Sequence, residues 1–364
     1  MINQKQSNVS MCMQCGVCTA SCPEAGITDL NIRMLVRRNQ LNRGIEKLTP
    51  WFCTSCGECT LRCPRSVNPS EMIFDLRSAF VEEGQIPLAI QKALEGTFVQ
   101  KNPWGRPRSK RGEWLKELNI KIPHISETNS KKLLFSCCIQ AYDPRCMVIP
   151  MNVAKILNKG GIEFGVLGTE EACCGNEIRR MGEFGLYEEL QEENMATFQK
   201  YGIQEIIALS PHCMNALKNE YGDLGIKVSH YTEVLAAMIE EGSLTFNSPY
   251  KTKVIYHDPC FLGKQNKIFE APRKILRAID GLELLEFSGS RENSLCCEGG
   301  GGRMFYEPEI SYQRNSEKKV LEAIQKGAQV LTTSCPFCVM NFEDPATDKG
   351  LPVKELSEII MEVL

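Results

Sequence analysis

Apolar positions recur along the chain in two rhythms. Near the N-terminus the spacing is helical. Leu30, Met34 and Leu35 fall within residues 29–38, and Met72, Ile73, Leu76 and Phe80 within 70–83, where Ser70 stands at a capping position. From residue 131 onward, short apolar runs alternate with longer helical stretches. Residues 132–136 (KLLFS), 206–209, 253–257 (KVIYH) and 330–333 read as buried strands, and 147–157, 234–240, 273–279 and 317–325 as helices. Such alternation predicts parallel sheets, whose sites lie beyond the carboxyl ends of the strands.

The alternating half repeats itself. Cys137 lies 36 positions before Cys173 and Cys260 lies 36 before Cys296, a step of 123 positions in both places. Ser210-Pro-His-Cys213 matches Cys335-Pro-Phe-Cys338 at a step of 125, so the copies differ by a two-residue indel. Four units are therefore expected: 1–83, a partly helical connector 84–130, a first repeat 131–249 and a second repeat 250–364. Pro87, Pro103, Pro107 and Pro123 break the connector, and Phe98, Trp104 and Trp114 call for burial against its neighbours. Its basic run, 106–111, reads as solvated surface, as do Arg37, Arg38 and Arg43.

Composition narrows the chemistry. With 364 residues, 43% hydrophobic content and a net charge of −3, this is an ordinary globular chain with no global field to recruit nucleic acid. No apolar run reaches the roughly 18 residues of a membrane span. The first residues lack the basic and apolar regions of an export signal, so a cytoplasmic protein is expected, peripheral if it joins a membrane complex. The outlying number is 19 cysteines. Without an export signal, clustered thiols read as metal ligands or redox groups rather than disulfides.

Eight of them form one run twice: Cys12, Cys15, Cys18 and Cys22 before Pro23, and Cys53, Cys56, Cys59 and Cys63 before Pro64. The spacing C-x2-C-x2-C-x3-C-P sets three thiolates on one [4Fe–4S] cubane and sends the fourth to the other. It assigns Cys12, Cys15, Cys18 and Cys63 to one cluster, and Cys53, Cys56, Cys59 and Cys22 to the second. Structural zinc prefers two separated C-x2-C knuckles with four ligands in all, and fits two complete runs poorly. The helical stretches between and after the runs suggest a dicluster unit of α-helical type.

The repeats are chemically unequal. The second supplies five thiolates, Cys260, Cys296, Cys297, Cys335 and Cys338, one more than a cubane takes. That leaves either a spectator or an unusual cluster. The first supplies Cys173, Cys174, Cys213 and either Cys137 or Cys138, with Ser210 where the second has Cys335. An alcohol is a poor replacement for a thiolate toward iron. Gly175 and the glycines at 299–302 follow the double cysteines, where small residues admit backbone and its N–H donors close to a cluster. No G-x-G-x-x-G follows a strand, so a flavin or nucleotide would belong to a partner.

The spacing of Cys260, Cys296-Cys297 and Cys335-x2-Cys338, matched by the first repeat apart from Ser210, resembles the cysteine-rich "CCG" domain of heterodisulfide reductases. Two ferredoxin runs ahead of two such domains are similar to the D-type subunit of those enzymes. They are also similar to DsrK-type proteins and to the iron–sulfur subunits of glycolate, lactate and glycerol-3-phosphate oxidation. The resemblance implies an α+β multidomain fold, with an α-helical two-cluster ferredoxin domain followed by two duplicated α/β CCG domains. It implies a non-cubane [4Fe–4S] cluster on Cys260, Cys296, Cys297, Cys335 and Cys338 as the catalytic centre, fed by the two cubanes and reducing a disulfide or related sulfur substrate. The alternative is a non-catalytic electron-transfer subunit between a flavin dehydrogenase and a membrane quinone-reactive partner. Either way the implied partners are redox subunits: a flavin-containing subunit, an electron-transferring flavoprotein or a membrane cytochrome b. For Cys137, Cys173, Cys174 and Cys213 a cubane, a variant cluster and an empty site all stay open. The second repeat departs from the CCG pattern in Cys296-Cys-Glu298-Gly.

Four further residues carry candidate chemistry. His257 and Asp258 could orient the cluster loop or deliver a proton, with a strand-end turn on Asp258-Pro259 the readier account. Cys146, matched by Phe269, reads as a buried hydrophobe, and His212, matched by Phe337, as packing.

Overall fold

A computed structural model describes residues 7–308 and 313–364. The N-terminal unit is helical, with short helices Val17–Ala20 and Glu58–Leu61 inside the cysteine runs and longer ones at Ile32–Gln40 and Pro69–Glu82. The first long helix starts later than the periodicity suggests, because the Asn31 side chain accepts the Met34 N–H and caps it. Its buried face is Ile32, Leu35 and Val36, leaving Met34 exposed. The second is capped by Asn68 and not by Ser70, with Pro69 in the first turn. Ser70 lies inside it, its hydroxyl 3.6 Å from Cys59 Sγ.

Two parallel sheets follow. The first repeat holds β1 (Lys132–Phe135), β2 (Glu205–Ala208) and β3 (Lys227–His230) in that spatial order. The second holds β4 (Lys253–His257), β5 (Glu283–Glu286), β6 (Val330–Thr333) and β7 (Val353–Glu355), ordered β5-β4-β6-β7. Thus β4, β6 and β7 repeat β1, β2 and β3, and β5 is an added edge. At the corresponding edge of the first sheet the chain makes only the parallel bridge Leu133–Gly165, continued by His124–Val166. The apolar runs centred on β1, β2, β4 and β6 are the four expected strands. The peripheral strands β3, β5 and β7 are short and carry charged residues, so alternation alone does not reveal them.

The last strands end alike. His230 at the end of β3 and Glu355 at the end of β7 each cap the next helix, Tyr231–Glu240 and Leu356–Val363, in reciprocal boxes with Glu233 and Glu358. Tyr231 Oη donates to Glu355 Oε1 and so ties one repeat to the other.

The connector packs on the body through helix Leu88–Gln100, with Ile90, Ala93 and Leu94 buried, and through buried Trp114 and Ile125. Phe98 departs from the expectation and is exposed. So does Arg111: it is 1% exposed, which corrects the solvated-surface reading at that residue, while Arg106 and Lys110 of the same run are exposed as expected.

One side chain joins three units. Arg77, fully buried on the second long helix, donates to Pro50 O (2.8 Å) and Cys53 O (2.7 Å) of its own unit. It also donates to Arg180 O (2.7 Å) in the first repeat and Gly301 O (2.9 Å) in the second. Carbonyls alone satisfy its fork, and burial draws its pKa down to about 10.

Candidate metal centres

Cys12, Cys15 and Cys18 line one small cavity with Cys63, from the other run, closed by Arg33, Val36, Val67 and Pro69. Cys22 lies beside Cys53, Cys56 and Cys59 instead, and burial followed by their proximity pushes its thiol pKa upward. The crossed grouping expected from the spacing is therefore the grouping the fold brings together. Cys15 is exposed, while Cys53, Cys56 and Cys59 are buried. In each run a left-handed residue two places after the first cysteine, Gln14 or Ser55, turns its N–H onto that sulfur, at 3.4 Å in both.

In the second repeat, Cys260 follows β4, Cys296 and Cys297 lie in the loop after β5, and Cys335 and Cys338 begin helix Pro336–Thr347 after β6. All five are buried and converge: Cys296 contacts Cys260 and Cys297, Cys297 Sγ lies 3.0 Å from Cys338 Sγ, and Cys338 contacts Cys335. Glu298 stands at φ 73°, matching Gly175 at φ 74°, and its N–H reaches Cys296 Sγ at 3.3 Å as Gly175 N–H reaches Cys173 Sγ at 3.4 Å. A glutamate thus holds the glycine conformation that the sulfur-directed turn requires, with its carboxylate accepting the Asn315 N–H at 2.8 Å.

The flanking residues do more than the sequence suggests. His257 lies with its ring within 4.8 Å of Cys297 and Cys338 sulfurs, and neither ring nitrogen finds a hydrogen bond of normal geometry among the described residues. Asp258 is not merely a turn residue. It forms a buried bidentate pair with Arg273 (2.6 and 2.8 Å) and accepts the Arg291 N–H at 2.7 Å. His212, expected to pack, does pack between Phe261 and Phe337, with tilted rings and centroids at 4.2 and 4.3 Å. Yet it also pairs with buried Glu177 at 2.9 Å and contacts Cys335, so a first-repeat histidine serves the second-repeat thiols. Against the penalty of burial, Cys338 and His212 draw the Cys335 thiol down to about 6. Burial opposes the charge on His212, but Cys335 and Glu177 outweigh it and raise the ring to about 10.

In the first repeat, Cys137 lies by Cys174 and Cys213, and Cys138 by Cys173 and Cys174. Ser210 is buried and caps the helix Pro211–Asn215, its Oγ accepting the His212 N–H at 3.3 Å. Cys146 is fully buried, as expected, its Sγ 3.8 Å from Pro336 O.

The ferredoxin unit and the second repeat touch sulfur to sulfur. Cys56 contacts Cys296, and together with Cys260 and Phe261 they form a small buried cluster. The glycines after Cys297 make this approach feasible. A Cβ at Gly300 would stand 2.7 Å from Thr54 O, and one at Gly301 2.6 Å from Cys53 O. Lys264, also buried, pairs with Glu58 at 2.5 Å beside the same junction. Glu177, Lys264 and Arg111 go unrecognised in the sequence and His212 is read there as packing alone, because the signal is a buried charge brought near sulfur by the fold and burial is not written in spacing.

The donor sets fit iron–sulfur clusters. Each is wholly or mainly thiol, turned inward on neighbouring sulfurs, and met by backbone N–H groups that satisfy sulfur.

Comparison with known proteins agrees with this geometry. Residues 11–67 match the 4Fe-4S dicluster domain, and 133–218 and 254–343 match the cysteine-rich domain CCG. The chain is 33% identical over 304 residues to the EtfAB:quinone oxidoreductase of Syntrophomonas wolfei, covering 79% of this chain and 42% of that protein. It is 35% identical over 303 residues to the probable iron-sulfur-binding oxidoreductase FadF of Bacillus subtilis, covering 81% and 43%. It is 28% identical over 373 residues to the D-type subunit of the dihydromethanophenazine:CoB–CoM heterodisulfide reductase of Methanosarcina barkeri, covering 100% and 80%. The chain thus spans under half the length of the first two relatives. Among the described residues no helix is long and apolar enough to cross a membrane.

Proposed function

The chain belongs to the family of heterodisulfide reductase D-type subunits, with a 4Fe-4S dicluster domain joined to two cysteine-rich domains, and on that footing we propose that this oxidoreductase is an electron relay between redox partners. One-electron transfer is the chemistry that [4Fe–4S] clusters supply when bound. Cys12, Cys15, Cys18 and Cys63 would hold one cubane, and Cys53, Cys56, Cys59 and Cys22 the other. Cys260, Cys296, Cys297, Cys335 and Cys338 would hold a non-cubane cluster. The observation that carries the reading is the Cys56–Cys296 contact, which joins the two units at their thiols.

The surroundings support a relay. Cys15 is exposed, and so are its near neighbours in sequence Met11, Met13 and Val17, all apolar. Such a rim suits docking of a flavoprotein at the outer cluster. At the other end every thiol of the second repeat is at most 8% exposed, which keeps solutes from the inner centre. The relative named EtfAB:quinone oxidoreductase supports the same direction, from an electron-transferring flavoprotein toward a quinone-reactive membrane partner.

A second reading, reduction of a disulfide at the second repeat, is favoured by one observation. Cys146 lies near both Cys137 and Cys335, so the two thiol sets of the repeats adjoin. Anaerobic, dithionite-reduced protein discriminates between the readings. The relay predicts that a small heterodisulfide leaves the reduced spectrum unchanged, while an electron-transferring flavoprotein exchanges electrons with it. Stoichiometric reoxidation by the disulfide would replace the relay with the reductase.

A further inference from the structure

The two repeats carry the same number of converging thiols, but not at matched positions. In the second repeat the five come from one cysteine after β4, the double cysteine, and both cysteines of C-x2-C. In the first repeat Ser210 removes one of the last pair. The matching gain is next to Cys137, where Cys138 stands in place of Phe261.

The contacts link this set in one series whose two ends, Cys138 and Cys137, are adjacent in the chain. Cys138 contacts Cys173, Cys173 contacts Cys174, Cys174 contacts Cys213, and Cys213 contacts Cys137. All five are between 1% and 5% exposed. Cys137 caps helix Cys138–Tyr142 and Cys138 opens it, so adjacent residues turn inward from one helix start. Resting on the reading that these repeats hold iron–sulfur clusters, we propose that Cys138 is an iron ligand, completing a five-thiolate site with Cys137, Cys173, Cys174 and Cys213.

Arg111 is a second and independent observation. It is 1% exposed and its Nη1 donates to Cys138 Sγ at 3.2 Å. Its Nε and Nη2 grip Glu171 Oε1 at 3.0 and 2.6 Å, and Glu171 in turn accepts from Ser136 N (3.1 Å) and Ser136 Oγ (2.8 Å). A guanidinium aimed by a carboxylate at one buried sulfur makes that sulfur an acceptor. On binding, the thiol gives its proton to solvent as the sulfur–iron bond forms, and the guanidinium offsets part of the added negative charge. Ser210, freed from ligation, is left as a helix cap.

The test counts iron and sulfide and records Mössbauer and EPR spectra on the whole chain, purified anaerobically. Cys138→Ser should lose about four irons and the first-repeat signature, with the ferredoxin signals intact as the internal control for folding. Cys174→Ser should lose the same component, and Cys138→Ser with Ser210→Cys should regain it. Full iron in Cys138→Ser alongside loss in Cys174→Ser would overturn ligation by Cys138 while leaving a first-repeat cluster in place. Full iron in both would instead overturn the reading that the first repeat binds a cluster. Should Cys138→Ser not fold, the double variant decides. Regained iron supports the exchange, and a folded double variant lacking about four irons overturns it.

Discussion

The two repeats share a sheet order, a double-cysteine loop and a capped terminal helix, yet only one of them meets the ferredoxin unit at sulfur. In the second repeat Cys296 contacts Cys56, and glycines take the places where any side chain would hold the two loops apart. In the first repeat Gly175 is followed by Asn176 and Glu177, and its thiols are backed by the connector through Arg111. Duplication supplied two similar thiol sites, and the loop after the double cysteine decided which one would adjoin the ferredoxin unit. The first repeat lends His212 and Glu177 to its neighbour's Cys335, so the copies act as one unit.

The contrast between the repeats breaks most completely if the shared anchor is removed. Arg77→Met leaves carbonyls of Pro50, Cys53, Arg180 and Gly301 buried without their donor, and should cost about 3–5 kcal/mol. Thermal unfolding of the anaerobic protein should show a markedly lower midpoint, and an unchanged midpoint would show that the units do not depend on this junction. Next in size is Cys335→Ser, which gives the second repeat the residue of the first without its compensating cysteine. Its spectrum should lose the second-repeat component while dithionite still reduces the ferredoxin clusters, and an unaltered spectrum would show that Cys335 is no ligand.

A smaller change probes the junction alone. Gly300→Ala brings a methyl 2.7 Å from Thr54 O, at a residue whose φ is not in the left-handed region. It should destabilise by about 1–3 kcal/mol and slow transfer between the units in stopped-flow reduction. Unimpaired stability and transfer would show that the loops tolerate a wider gap.

The effect that is smallest per step, read one pH unit at a time, distinguishes the repeats by pH. Burial lowers His230 to about 3 and raises Glu355 to about 7, so both caps are neutral in the fold. His230 then contributes stability that is present above its ordinary value of 6.5 and lost as pH falls through 3. Glu355 contributes stability present below 4.5 and lost as pH rises through 7. Each pH unit inside those windows is worth up to ~1.4 kcal/mol. Hydrogen exchange should show helix Tyr231–Glu240 loosening on the acid side and helix Leu356–Val363 on the neutral side, and Glu355→Gln should flatten the second trend only. Parallel trends in both helices would remove the distinction.

Much of this organisation is legible in the chain because cysteine spacing is a local record. The crossing of Cys63 and Cys22 follows from chemistry that fixes each run, and the steps of 123 and 125 residues announce the duplication. What escapes is long-range. Arg111 sits in a basic run that looks solvated, and only the fold sets Glu171 beside it. His212 is matched by a phenylalanine and so reads as packing, yet the residues that give it a role, Glu177 and Cys335, are 35 and 123 positions away. Cys137 and Cys138 stand as alternatives in the sequence because a repeat with one cysteine at that point admits one; a helix beginning there turns both inward.

The second repeat, and not the first, adjoins the ferredoxin unit at its thiols, and EPR of the partially reduced anaerobic protein tests this most directly. We expect a magnetic interaction between the cluster on Cys53, Cys56, Cys59 and Cys22 and the cluster on the second-repeat thiols, lost when Cys335→Ser removes the latter. Non-interacting signals, or an interaction that survives Cys335→Ser and vanishes in Cys174→Ser, would contradict it.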